Sequence, residues 1–260
     1  MDLGIHGNTA LITASSSGLG LGCARSLSLE GANVVICGRN SDRLANAKES
    51  LEAEANGDIL AIKTDLTKSE DVQNLLDKTL KKFGQLDHLV TSVGQPTDGS
   101  FNNLDINNWY EAYDIFTMSV VRTLYAAHPL LSNSDAGSVV FITATAVKET
   151  NPNMIMSSSI RKSTIGLMKV LSFEWAPIRV NAILPGSHDT PLMTEHAQAS
   201  VDAGKYTSLP EALLGWADNP LNRIGKPQEI GDVAAFLSSP RAGYVTGTAI
   251  PVDGGRMRCT

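Results

Sequence analysis

Thr13-Ala14-Ser15-Ser16-Ser17-Gly18-Leu19-Gly20 separates an apolar run, Thr9 to Thr13, from an amphipathic helical pattern. A strand, a glycine-bearing turn and a helix in this order form a cradle for phosphate groups, because free amides at the helix start point at the anion. Glycine has no Cβ, so Gly18 and Gly20 allow a sharp turn and a close approach of the backbone. We therefore predict that a dinucleotide pyrophosphate binds at Ser16, Ser17, Gly18, Leu19 and Gly20.

The segment after this turn supports the dinucleotide interpretation. The third position of the G-x-G-x-x-G fingerprint is Cys23, so an ordinary tight turn remains an alternative for the glycines alone. However, a second apolar strand, Val34 to Cys37, follows the helix and ends at Gly38-Arg39-Asn40. The adenine-side ribose of a bound dinucleotide would lie at that point.

The residue type at the end of this second strand distinguishes the two nicotinamide cofactors. An acid there accepts a hydrogen bond from the ribose 2′-OH, whereas an arginine pairs with a 2′-phosphate. The chain has Arg39 and no acid before Asp42. We therefore favour NADP(H), with NAD(H) left open; a solvated surface role is the alternative for Arg39.

Composition limits the classes of partner. The chain has 260 residues, a formal net charge of −6 and 42% hydrophobic residues, which fits one α/β domain over residues 1–260. The sequence has no basic patch of the kind that binds nucleic acid. It also has no apolar run of membrane-spanning length and no signal-like start, so we expect neither a membrane nor a secreted location. Cys23, Cys37 and Cys259 lack metal-ligand spacing. We expect a cytoplasmic protein with reduced thiols and no metal site.

Apolar strands alternate with amphipathic helices along the chain, which predicts a doubly wound parallel sheet of the Rossmann type. Ligands of such sheets bind in the crevice at the carboxyl ends of the strands. Residues from Pro191 to about Asn219 interrupt the alternation after the sixth strand with polar, helix-compatible sequence. This segment (about 191–219) is predicted to be a helical substrate lid, the alternative being a packed helical excursion without substrate contact.

Four segments together resemble one family: the turn at residues 13–20, Asp65-Leu66, Pro185-Gly186 with Thr190, and the tail at residues 245–255. They resemble the short-chain dehydrogenase/reductase family, in the group that includes 3-oxoacyl-carrier-protein reductases and related carbonyl reductases. The resemblance implies a seven-stranded sheet and a tetramer. It also implies that Asp65 and Leu66 lie near the adenine, and Pro185, Gly186 and Thr190 near the nicotinamide amide.

The chain departs from the family pattern at several positions. The first glycine of the family's turn is Ala14 here, and the family's Asn-Ala-Gly after the fourth strand is Ser92-Val93-Gly94. We keep Ser92 and Gly94 in the predicted cofactor site, since these changes are small.

The catalytic positions differ most. Family members use a Tyr-x-x-x-Lys pair, a serine and an asparagine. Counting back from Gly166 places the tyrosine position on Ser157 and the lysine position on Arg161. The serine position falls on Ala144, although a loop of different length would bring Thr143 or Thr145 into register. The asparagine position falls on Phe116, on the apolar stripe of its helix, which we predict to be core.

These replacements change the chemistry. An aliphatic hydroxyl is a weak acid, so Ser157 is not an obvious proton donor. Arg161 stays cationic and suits ribose hydroxyls or an anionic group, which suggests an anionic substrate; a surface arginine at a polar helix end is the alternative. Lys162 should point about 100° away around the helix. The predicted catalytic residues are Ser157, Arg161 and Thr145, with His188, His196 and Tyr206 as nearby ionisable groups. The alternative for His188 is a solvated loop histidine without a catalytic role.

These observations favour an NAD(P)-dependent oxidoreductase of the carbonyl reductase or alcohol dehydrogenase type, acting on a small molecule. Two alternatives remain. One is a catalytically degenerate nucleotide-binding subunit, which pairs with an active relative in a hetero-oligomer rather than forming a homotetramer. The other is a lyase or isomerase that reuses the fold.

Overall fold

A seven-stranded parallel sheet forms the centre of the molecule. The computed structural model describes residues 2–151 and 153–259, and the strand order is β3-β2-β1-β4-β5-β6-β7. The strands are β1 Thr9–Ile12, β2 Asn33–Gly38, β3 Ile59–Lys63, β4 His88–Thr91, β5 Ser138–Ile142, β6 Arg179–Pro185 and β7 Ala249–Val252. All neighbouring strands pair in parallel. The predicted doubly wound sheet of seven strands is therefore confirmed.

Helices cover both faces of this sheet, which explains why its strands are apolar rather than alternating. The helices are α1 Gly18–Leu29, α2 Ser41–Glu52, α3 Ser69–Phe83, α4 Ile106–Tyr113, α5 Ser119–Leu131, α6 Ile155–Ser159, α7 Ser163–Glu174, α8 Pro191–Asp202, α9 Leu209–Gly215 and α10 Pro227–Ser238. Apolar side chains of α1, α2 and α10 pack in one core cluster, and those of α3, α5 and α7 pack in a second cluster. Every residue of β5 is buried.

The strand order places a crevice at the centre of one sheet edge. β1 lies between β2 and β4, so the chain winds outward in opposite directions from this point. Loops that follow β1 and β4 therefore diverge at their carboxyl ends, which is where ligands of doubly wound sheets bind.

The segment at residues 191–219 is helical, as predicted. It contains α8 and α9, and the residue before each helix caps it with a hydroxyl that accepts a main-chain hydrogen bond: Thr190 from Met193 N at 3.2 Å, and Ser208 from Glu211 N at 3.4 Å. Its movement as a lid stays a prediction. Among the described residues, no helix combines the length and apolarity that a bilayer crossing needs.

The turn between β1 and α1 has a strained backbone at the position where the family has glycine. Ala14 has a φ of 45°, in the left-handed region, and Gly18 follows with a φ of 58°. A Cβ at Gly20 would lie 2.6 Å from the Ala14 carbonyl oxygen, so only glycine allows α1 to start this close to the turn. The sequence thus produces the predicted cradle in spite of the alanine.

We expect A14G to raise the free energy of unfolding by up to about 1 kcal/mol. Relief of the left-handed strain at an L-residue contributes roughly 1–2 kcal/mol, and the greater freedom of glycine in the unfolded chain offsets about 0.4–1 kcal/mol. The measurement is urea denaturation, with A45G at an exposed position of α2 as the control. The control should lose about 1 kcal/mol; an equal loss in A14G would show that residue 14 is unstrained.

Candidate functional site

A cavity of about 900 Å³ lies along the carboxyl edge of the sheet. Its size is typical of a site for a small molecule. Loops after β4, β5, β6 and β7 line it, together with Leu19 at the start of α1, α8, and the residues that follow α9. Leu19, Thr143, Thr145, Pro185, Gly186 and Thr190 are among the lining residues. The structure therefore brings residues that are distant in sequence to the crevice that the strand pattern predicts.

The turn at residues 13–20 leaves main-chain donors available at the start of α1. Ser17 precedes the helix in an extended conformation, and its hydroxyl caps no amide. The first amides of an α-helix have no partner within the helix, so those of Gly18, Leu19 and Gly20 suit an anion. An ideal Cβ on Gly18 would lie 3.4 Å from the Thr190 methyl group, so the turn adjoins the end of β6. This geometry fits a pyrophosphate.

The predicted adenosine side of the site carries one positive and one negative side chain. Arg39 is exposed just after β2, and Asp65 is half-buried just after β3. Partial burial acts to raise the pKa of Asp65, but hydrogen bonds from Thr67 and the positive charges of Arg39 and Lys68 together hold this pKa below its ordinary value. Arg39 is thus close enough to act on Asp65. Leu66 packs at the edge of the core cluster on α3, α5 and α7.

Ser92 and Gly94 occupy different environments after β4. Ser92 is buried, and its main chain exchanges two hydrogen bonds with the Thr13 hydroxyl, at 2.9 Å through its amide and 2.5 Å through its carbonyl. Gly94 is exposed. The Thr13 hydroxyl therefore fixes the ends of β1 and β4 relative to each other, a role that the sequence does not reveal.

Ser157 does not face the cavity. It is completely buried, and its hydroxyl donates a hydrogen bond of 2.9 Å to Asp98 Oδ2. Asp98 also accepts from the amides of Ser157, Met156 and Gly99. A carboxylate has about four acceptor positions, and all are filled here. The position of Ser157 does not support the prediction that it is catalytic, because its hydroxyl is buried and bound to Asp98 and the residue is not part of the cavity wall.

Sequence reasoning missed Asp98. It is half-buried, lines the cavity and anchors the start of α6 through the amides of Met156 and Ser157. Its partners lie 58 and 59 residues further along the chain, so no local spacing indicates the contact. Its place in a loop after a strand was the available signal, because such loops surround the crevice.

Arg161 lies in the cavity wall as a half-buried cation. Its guanidinium carbon lies 3.9 Å from the centre of the Phe116 ring, and its terminal nitrogens donate to Thr143 O at 3.0 Å and Gln95 Oε1 at 3.2 Å. Its Nε is buried and makes no hydrogen bond. Burial lowers the pKa of Arg161 to about 10, against the opposing effect of Asp98, so the side chain remains protonated at neutral pH. These contacts favour the predicted place of Arg161 in the site over the alternative of a solvated surface arginine.

Phe116 is fully buried, as predicted for a core residue. It lies in a π-helical turn, Asp114–Met118, that joins α4 to α5. Such turns are frequent at functional sites. In addition to its core contacts, the Phe116 ring stacks against the Arg161 guanidinium in a cation–π contact. The apolar stripe in the sequence does not predict this contact.

Some of the other candidate side chains are held by hydrogen bonds within the protein, and others line the cavity. The Thr143 hydroxyl donates to Ile183 O at 3.0 Å, whereas Thr145 lies in the cavity wall at the start of a 3₁₀ turn. His188 is only 5% exposed, so the solvated alternative for it is wrong. Its Nδ1 donates to Gly186 O at 3.1 Å, and burial lowers its pKa. A neutral, hydrogen-bonded His188 holds the loop after β6.

Two further candidates belong to the segment at residues 191–219. His196 lines the cavity and packs at 6.0 Å against the Trp216 ring, while Tyr206 lies in a neighbouring cleft. Lys162 is exposed, in agreement with its predicted direction.

Comparison with known proteins identifies the family. Residues 13–256 match the family described as enoyl-(acyl carrier protein) reductase. The chain belongs to the short-chain dehydrogenase/reductase family. It is 28% identical over 256 residues to the 3-oxoacyl-[acyl-carrier-protein] reductase of Thermotoga maritima, covering 96% of this chain and 98% of the relative. The predicted family and group are confirmed, and the chain is an NAD(P)-dependent oxidoreductase of carbonyl or hydroxyl groups.

Two solved structures are similar along nearly the whole chain. The L-sorbose reductase from Gluconobacter frateurii, complexed with NADPH and L-sorbose, has a TM-score of 0.94, 28% identity and coverage of 100% of both chains. A short-chain oxidoreductase from Pseudomonas aeruginosa, described as containing an atypical catalytic center, has a TM-score of 0.89 and 27% identity, covering 97% of this chain and 98% of that one. The chain itself has five tyrosines, and none is followed by lysine four residues later.

We expect S157A to leave kcat within about twofold, because this hydroxyl is bound to Asp98 and does not reach the cavity. Loss of the hydrogen bond should lower the free energy of unfolding by about 1 kcal/mol. Steady-state kinetics and urea denaturation measure the two effects. S159A, at an exposed position of the same helix, is the matched control and should change neither. A fall in kcat of tenfold or more in S157A, with stability retained, would contradict the assigned role.

Proposed function

We propose that the chain is an NADP(H)-preferring carbonyl reductase or alcohol dehydrogenase that uses Arg161 in place of a Tyr-x-x-x-Lys pair. The observation that carries this proposal is the half-buried Arg161 in the cavity wall, whose Nε is buried without a hydrogen-bond partner. Among residues 2–151 and 153–259, no carboxylate forms an ion pair with it within 4.0 Å. A partly buried cation without a close counter-ion loses some of its hydration, so the position of Arg161 favours a role with negative charge on a ligand.

The orientation of Arg161 suits an oxygen that becomes negatively charged. Thr143 O and Gln95 Oε1 each take one N–H, and the Phe116 ring fixes the plane of the group. An arginine has five N–H donors, so others remain for a substrate oxygen or a ribose hydroxyl. Donors that are fixed in place stabilise developing charge strongly. Arg161 therefore stabilises the alkoxide-like oxygen of the transition state.

The cofactor, when bound, supplies or accepts a hydride. The residues that we propose to hold it are Ser16, Ser17, Gly18, Leu19 and Gly20 at the pyrophosphate, Arg39 at the 2′-phosphate, Asp65 and Leu66 at the adenine, Ser92 and Gly94 along the crevice, and Pro185, Gly186 and Thr190 at the nicotinamide. Free amides at the start of α1 support this assignment.

The proton comes from water in the cavity in this proposal. Ser157 is turned toward Asp98, the four acceptor positions of Asp98 are filled, and His188 uses Nδ1 to hold the Gly186 carbonyl. Thr145 remains as a hydroxyl in the wall that orients the substrate oxygen or this water. A site of this kind works through positioning and electrostatics rather than through a dedicated general acid.

The substrate that fits best is a small polyhydroxylated carbonyl compound or alcohol. Asn151, Asn153 and Thr150 add amide and hydroxyl groups to the cavity wall. The similarity to L-sorbose reductase supports the same class. We further propose a homotetramer in the cytoplasm; exposed aromatic side chains on α5 and α7, Tyr125 and Phe173, are available for subunit contacts.

Substitution of Arg39 tests the cofactor preference. We expect R39Q to raise the KM for NADPH about tenfold or more and to leave the KM for NADH unchanged, because only NADPH has the 2′-phosphate. R43Q, at an exposed position of α2, is the matched control. Steady-state kinetics with both cofactors provides the measurement. Equal effects on NADPH and NADH would contradict 2′-phosphate recognition.

Substitution of Arg161 tests the proposed function itself. We expect R161M to lower kcat by about 100-fold or more, as removal of an oxyanion donor does in other enzymes, with much smaller effects on the Kd for NADPH. In the wild type, kcat should fall as the pH rises through about 10, since the charged form of Arg161 is required. NADPH oxidation with a panel of aldoses and ketoses measures both effects. K162Q is the control; retention of kcat in R161M would defeat the proposal.

A further inference from the structure

A second, smaller cleft adjoins the cavity on the side of α8 and α9. It has a volume of about 250 Å³, and Lys205, Tyr206, Trp216 and Arg256 contribute to its walls. We call it the outer cleft. Trp216, Asp218 and Arg256 also line the main cavity, so the two spaces are adjacent. A substrate with its reacting carbon near Arg161 can therefore extend its far end toward the outer cleft.

The outer cleft has an excess of positive charge. Lys205 and Arg256 line it together with one carboxylate, Asp218. Within the part of the chain that the structure describes, neither cation forms an ion pair within 4.0 Å, with Asp218 or with another carboxylate. The charged groups of Lys205 and Arg256 are therefore available to a ligand.

Carboxylates near the C-terminal segment are used to hold its main chain. Asp253 accepts from the amides of Gly255 at 2.9 Å and Met257 at 2.8 Å. Glu149 accepts from the amide of Arg258 at 3.0 Å. These contacts fix the backbone on both sides of Arg256 without pairing its guanidinium. Arg256 is thereby placed between the cavity and the outer cleft.

Tyr206, Gly215 and Trp216 form other parts of the wall of the outer cleft. An ideal Cβ at Gly215 would lie 2.5 Å from the Tyr206 hydroxyl, so the phenol fits there because residue 215 is a glycine. The Trp216 ring packs against His196 and forms the apolar wall between the two spaces. A phenol, an ammonium and a guanidinium are all hydrogen-bond donors, which is the donor set that an oxyanion requires.

We propose that the outer cleft binds an oxyanion, a phosphate or a carboxylate, at the end of the substrate remote from the reacting carbon. The proposal rests on the proposed function and specifies its substrate class: a small polyhydroxylated carbonyl compound or alcohol with a terminal anionic group. Lys205 and Arg256 bind the oxyanion, Tyr206 donates a further hydrogen bond, and Trp216 packs against the carbon chain.

Titration with inorganic phosphate tests the cleft without turnover. Isothermal calorimetry at constant ionic strength compares the wild type, K205Q/R256Q and K78Q/K81Q, a control with the same charge change on exposed positions of α3. Loss of two charge-assisted contacts should weaken phosphate binding by about tenfold or more in K205Q/R256Q only. No binding to the wild type, or equal weakening in both variants, would overturn the proposal.

Kinetics then distinguishes the two oxyanions and connects the cleft to the substrate. NADPH oxidation is measured with dihydroxyacetone and its phosphate, and with D-glucose and D-glucuronate. We expect the anionic member of at least one pair to have a kcat/KM higher by about tenfold, and K205Q/R256Q to remove this difference through KM. Equal kcat/KM within both pairs would overturn the proposal and indicate an adventitious ion only. Phosphate binding by Lys205 and Arg256 without any turnover would support the cleft and count against the proposed function.

Discussion

The parallel alignment of seven strands is the constraint on which the site depends. Because every strand points the same way, the loops after β1, β4, β5 and β6 meet at one edge, and the reversal of winding beside β1 opens a crevice between them. The groups with a proposed role lie in loops that follow the strands at this edge or in helices that follow those loops. The helix layers on both faces exclude water from the sheet and keep this edge in place.

The inner part of the crevice is unusual in how its charges are placed. Asp98 accepts hydrogen bonds from four donors and fixes the start of α6. Arg161 packs against the Phe116 ring, and some of its N–H groups have no acceptor in the protein. A protonated guanidinium favours negative charge on a nearby oxygen, but it is a poor proton donor. We therefore propose that the site acts by electrostatic stabilisation rather than by a Tyr-x-x-x-Lys mechanism, with the cofactor held at the turn before α1.

The sequence predicted the backbone features of the site better than its side-chain contacts. Gly18, Gly20 and Thr190 could be placed because turns, strand ends and caps have local signals. The helical segment after β6 was visible for the same reason. The orientation of Ser157 and the part played by Asp98 were not, since they depend on contacts across 58 and 59 residues that no spacing reveals. Phe116 was correctly assigned to the core, but its contact with Arg161 required the folded structure.

A crystal structure with bound NADPH tests the central claim most directly. The account predicts the pyrophosphate on the amides of residues 16–20, the 2′-phosphate beside Arg39, and the nicotinamide ring beside Pro185 and Thr190. Its reactive carbon should then face a space bordered by Arg161 and Thr145. A nicotinamide outside the crevice, or an Arg161 side chain shielded from that space by the bound cofactor, would contradict the account.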